Sequence, residues 1–183
     1  MDKKVKMIKD YCLKETSQNP IYIAMKMMDD PQISMHGPEH HILDGAALIT
    51  AIHNAGVEFD LEKTLDELVK RGCKMPGAIC GQWGICGSAA SIGAALAIIH
   101  GTGPLSDNPY YQDNMWLTSQ AITRIAEIGG PRCCKRNAFL SLSTAIEFVN
   151  EKYGIKLESQ DVQCHYSHQN SQCIQERCPF YKK

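Results

Sequence analysis

Apolar positions recur along this chain at the spacing of helices. In residues 2–15, Val5, Ile8 and Cys12 fall near one side with Met7 beside them, as in an amphipathic helix. Residues 21–29 predict a short second helix carrying Met25 and Met28, ended by Pro31. A third is expected from Pro38 to about residue 55, with Gly56 as its stop. Residues 61–71 place Leu61, Leu65 and Leu68 inward, with Asp60 as N-cap and Gly72 closing the helix. Residues 88–100, SAASIGAALAIIH, are apolar almost all round, which predicts the central buried helix. Two more helices are expected, over residues 111–128 and 131–152, the second with Pro131 at its first position and Gly154 at its end. A strand is hinted at only over residues 155–157.

These elements predict an all-α fold: a helical domain over residues 1–158, built around one buried helix, and a polar, cysteine-rich tail over residues 159–183. At 183 residues the chain is long enough for a real core. A net charge of -1 supplies no basic field for nucleic acid, and no apolar run is long enough to cross a bilayer. The first residues are charged and lack a secretory h-region, so the expected setting is the cytoplasm. There the nine cysteines are expected to be reduced thiols: core residues, metal ligands or catalytic groups.

Three segments place potential ligands where helices are predicted to begin. MHGPEHH carries His36, His40 and His41, three histidines within six residues. CGQWGICG carries Cys80 and Cys86, too far apart for a Cys-x-x-Cys knuckle. GGPRCCKR carries Cys133 and Cys134. Thiolates and imidazoles are ligands for iron–sulfur clusters and zinc. The helix amino ends, with Arg132, Lys135 and Arg136, are expected to lower the thiol pKa values of Cys133 and Cys134. The candidate metal ligands are therefore His36, His40, His41, Cys80, Cys86, Cys133 and Cys134. Adjacent cysteines rarely bind one metal atom, so one of the last pair is also readable as a core thiol.

Glu39 and His40 are candidate proton carriers, and Cys134 a candidate catalytic thiol. Arg132, Lys135 and Arg136 are candidate ligands for an anionic substrate. In the tail, Cys164, His168, Cys173 and Cys178 form a candidate second metal set, although gaps of nine and five positions match no standard zinc finger. Trp83, His53 and His100 are expected to pack, and Cys12 and Cys73 are read as structural.

Together the three motifs resemble an uncharacterised domain family of anaerobic bacteria and archaea. Its members look like stand-alone small proteins or appendages to radical S-adenosylmethionine and methyltransferase modules. The resemblance runs from about Met35 to Cys178 and implies that the seven His and Cys positions of the motifs matter. It implies no activity.

Three functions compete. In one, cysteines hold an iron–sulfur cluster that performs sulfur or lyase-type chemistry on a small anionic molecule, with a redox or radical S-adenosylmethionine partner protein possible. In another, the same residues bind zinc or another metal without catalysis and serve a partner. In the third, a metal-free thiol enzyme uses Cys133 or Cys134.

Overall fold

A computed structural model describes residues 2–182; Met1 and Lys183, the outer limits of the two expected segments, lie outside them. Among the described residues eight α-helices follow one another: α1 Asp2–Cys12, α2 Pro20–Met28, α3 His40–Asn54, α4 Leu61–Gly72, α5 Ile79–Gln82, α6 Gly87–Ile99, α7 Pro109–Ile128 and α8 Cys134–Tyr153. The tail adds two 3₁₀ turns. Among the described residues there is no strand, only an isolated bridge between Cys164 and Tyr181. The fold is all-α, as expected, and the strand hinted at over residues 155–157 does not form.

Short polar side chains start several helices. The Ile21 and Tyr22 N–H groups donate to Asn19 Oδ1, with Pro20 at the first position of α2. The Lys63 N–H donates to Asp60 Oδ1 at the start of α4. Gly154 stops α8 with a left-handed φ of 67° that a side chain would disfavour.

The most enclosed helix is α3, not the expected one. Every residue from His40 to Ile52 is buried, because α1, α2, α4, α6 and α8 all pack around it. On α6, residues Ala90, Ala94 and Ala97 to Ile99 stay partly exposed. The two helices approach closely at Gly45, where a Cβ would stand 2.7 Å from the Ser91 carbonyl oxygen. The Gly45 N–H donates to Ser91 Oγ there.

Helices α3, α6 and α8 also pack against one another, which brings their amino ends to one side of the molecule. The start of α8 differs from expectation. The Gly130–Pro131 bond is cis, Pro131 stays outside the helix, and Cys133 is the N-cap with Cys134 the first helical residue. Trp83 and Ile85, in the loop before α6, are exposed rather than packed. Cys12 lies in the core, whereas Cys73 is exposed.

Candidate metal centre

The amino ends of α3, α6 and α8 open onto a cavity of about 260 Å³. His36, His40, His41, Cys80, Cys86 and Cys134 line it, with Arg132 and Asn137. Six of the seven ligand candidates from the three motifs thus share one space. Cys86 is the N-cap of α6 and its side chain makes no capping bond, and the N-cap of α3, Glu39, makes none either. At α3 the first N–H groups are taken up by the carbonyls of Gly37, Pro38 and Glu39, so it is the start of α6 that keeps free N–H groups and their positive potential. Cys80 sits on the short α5, entered through Ala78 at a left-handed φ of 64°, an uncommon conformation for a residue with a side chain. Gly87 makes room for His41: a Cβ there would stand 2.0 Å from His41 Cδ2.

Behind this wall lies Asp44, one helical turn after His40 and fully buried. Neither of its carboxyl oxygens has a hydrogen-bond partner, and the nearer lies 3.9 Å from His40 Nδ1. His40 Nδ1 and His41 Nδ1 are also buried without partners. Unpartnered buried polar groups are costly, so three in one place mark a site rather than a core. The sequence reading passed over Asp44. Its signal was an acid four positions after a histidine, inside an otherwise apolar helix.

Burial, not the helix dipole, decides the thiol chemistry. It pushes the Cys134 thiol up to about 11, with Asp44, Cys86 and Cys133 adding to the rise against a hydrogen bond from the Gly37 backbone. Cys133 is also raised by burial, against the opposing effects of the Arg136 and Lys135 backbone and the Arg136 charge. The expectation of lowered thiol pKa values is therefore corrected. His41 and His36 are both pushed down, first by burial. His36 accepts the Cys134 N–H at Nδ1, 3.4 Å away, and meets Asn170 Oδ1 through Nε2 at 3.2 Å.

The other candidates are placed differently from expectation. Glu39 does not line the cavity. It pairs with Lys4 Nζ at 2.6 Å and accepts the Ser34 N–H at 2.9 Å. Burial alone would raise its pKa, but these hydrogen bonds hold it at about 2, which ill suits a proton carrier at neutral pH. Lys135 is buried, with Nζ 3.4 Å from the Met28 carbonyl oxygen and 5.0 Å from the centre of the Tyr166 ring. Arg136 donates to the carbonyls of Gly129 and Pro131, fixing the loop before α8. Of the three expected anion ligands, only Arg132 faces the cavity.

Cys133 lies elsewhere. As N-cap it has extended backbone, while Cys134 is helical, so the two side chains part company. Cys133 lines a second, small cavity with Cys164, Cys173 and Cys178. His168 does not line it; it is exposed and hydrogen-bonds Gln169. Among the described residues, no three His, Cys, Asp or Glu side chains stand close enough to hold a metal ion as they are. The first cavity fits a metal centre by its donor set, three thiols and two imidazoles whose Nδ1 atoms have no partner, and by its room; His40 Nε2 meets the Ser34 carbonyl oxygen at 3.4 Å.

No curated protein and no solved structure matches the sequence. A family model does match, over residues 8–181 and so across nearly the whole helical domain and the cysteine-rich tail, and by that match the chain belongs to a family of unknown function, DUF5714.

Proposed function

We propose that this protein binds a thiolate-ligated inorganic centre, iron–sulfur in kind, in the larger cavity and uses it on a small anionic substrate. Cys80, Cys86 and Cys134 would hold the centre, with His40 or His41 as a further ligand. The observation that carries this reading is convergence: three helix starts, far apart in the chain, bring sulfur and imidazole to one space of about 260 Å³. Uncapped N–H groups at the start of α6 favour the net negative charge of a thiolate-bound cluster.

An iron with an open position supplies Lewis-acid chemistry. The chain supplies the rest. Arg132 pairs with the substrate's anionic group. A histidine of the pair, with Asp44 behind it, takes over the proton-carrying role first given to Glu39. Lyase-type or sulfur chemistry suits such a set. Exchange with a redox partner would occur beside Cys80, where Trp83 and Ile85 are exposed.

The mixed histidine and cysteine donors also favour a second reading, a zinc module without catalysis. A metal-free thiol enzyme draws less support, because a thiol held near 11 is mostly protonated at neutral pH. Purification without oxygen followed by metal and acid-labile sulfide analysis tests the proposal. Iron and sulfide are expected together, and both should fall sharply in Cys86→Ser and Cys134→Ser. Zinc alone would move the assignment to the second reading, and a protein that takes up no metal at these cysteines would end both.

A further inference from the structure

Beyond α8 the chain has little to hold it in place. Leu157 and Tyr166 are its buried apolar side chains, and among its described residues the regular structure is two short turns. Yet it is docked. Tyr166 and Phe180 pack on Phe139 of α8, and Tyr166 Oη donates to Asp29 Oδ1 at 2.8 Å.

In the seam lies the second cavity, about 20 Å³, lined by four cysteines. That volume suits one water-sized occupant, hence a single ion rather than a multi-iron cluster. Its other walls are largely apolar, including Met35, Ile174 and Phe180, and carry no carboxylate. The sulfurs already receive donors. The Arg136 N–H points at Cys133 Sγ at 3.4 Å, Asn170 Nδ2 at the same sulfur at 3.7 Å, and the Gln175 N–H at Cys173 Sγ at 3.4 Å. Gln175 takes a left-handed φ of 48° in the turn that presents this N–H. Donors aimed at sulfur orient and stabilise metal-bound thiolates.

We propose that Cys133, Cys164, Cys173 and Cys178, which line one cavity but stand wider apart than coordination allows, draw together around one divalent ion, zinc in kind, as a tetrahedral four-thiolate site that staples the tail to the amino end of α8. Four thiols release four protons to solvent as the ion binds, leaving a net charge of −2. The start of α8 and the nearby Arg136 offset that charge. A closed, all-sulfur set is the pattern of structural zinc. This site does not depend on the function proposed for the larger cavity.

The test uses the full chain, stripped with a chelator without oxygen and titrated with Co²⁺ and then Zn²⁺. Wild type should show the intense thiolate charge-transfer and tetrahedral bands of cobalt, displaced by zinc. Cys173→Ser and Cys178→Ser should each lose one cobalt equivalent of these bands, and His168→Ala and Cys80→Ser should keep that equivalent. Bands lost in Cys80→Ser but kept in Cys173→Ser would overturn the assignment, as would loss in a folded His168→Ala. Alkylation of wild type followed by mass spectrometry removes any dependence on how the variants fold. Zinc should slow labelling of Cys164, Cys173 and Cys178 by at least about tenfold, and equal rates with and without zinc would refute the site.

Discussion

One cysteine doublet feeds two cavities that differ in almost every property. The larger is about 260 Å³ and combines three thiols with imidazoles, an arginine and an unpartnered carboxyl close behind. The smaller is about 20 Å³ and takes every sulfur ligand from cysteine, with N–H groups aimed at two of them. Room and mixed donors leave positions for a substrate, whereas a tight single-donor set leaves none. On the two proposals above, the contrast would separate a place for chemistry from a fastening, using two residues adjacent in the sequence.

The widest separation between the two is expected in tail security. If the proposed metal clasp holds the tail, Cys173→Ser should release it to proteolysis, with cleavage after Arg177 rising roughly tenfold or more. Cys86→Ser should leave that rate alone. Equal sensitivity in both variants would erase the distinction between the cavities.

Next comes Gly87→Ala. Its methyl would displace the His41 ring and cost about 1–3 kcal/mol. Thermal unfolding should register the loss, and metal should leave the larger cavity but not the smaller. Asp44→Asn should produce a change of sign. Without metal, removing an ionisable group from this buried position should stabilise the fold by about 1 kcal/mol. With metal bound, the same change should weaken retention, as chelator competition would reveal.

The smallest effect concerns Glu39, which lies beside the larger cavity but does not line it. Its folded-state pKa, at about 2, is below the unfolded value of 4.5. Its ion pair therefore stabilises the fold above the unfolded pKa, and that contribution fades as pH falls from about 4.5 towards 2. Denaturation at pH 7 and pH 3 should show Glu39→Gln flattening this dependence by about 1–2 kcal/mol. An unchanged slope would mean the pair contributes nothing.

Much of the fold was legible because its helices carry local signals: Asp60 and Gly154 cap where expected, and Pro20 begins α2. The convergence of Cys80, Cys86 and the histidines followed from noticing that all lay near helix starts. The split of Cys133 from Cys134 was hidden because it depends on where α8 begins. Pro131 signalled a start three residues too early, and the fixing contacts, from Arg136 to two carbonyls, are tertiary. Lys135 and Glu39 were misread for a related reason. Charge is visible in a sequence, but the Tyr166 ring and the Lys4 amine that claim these side chains come from distant segments. Asp44 shows the converse, a polar residue in an apolar run that looked like a blemish and lies behind the site.

Because Cys133 and Cys134 are neighbours, their peptide bond works as a register lock. One residue inserted between them, or a slide of the α8 boundary by one position, would misdirect both thiols at once. Neither ligand set can drift without dragging the other, so the doublet makes the length of this junction as binding a constraint as the identity of its residues.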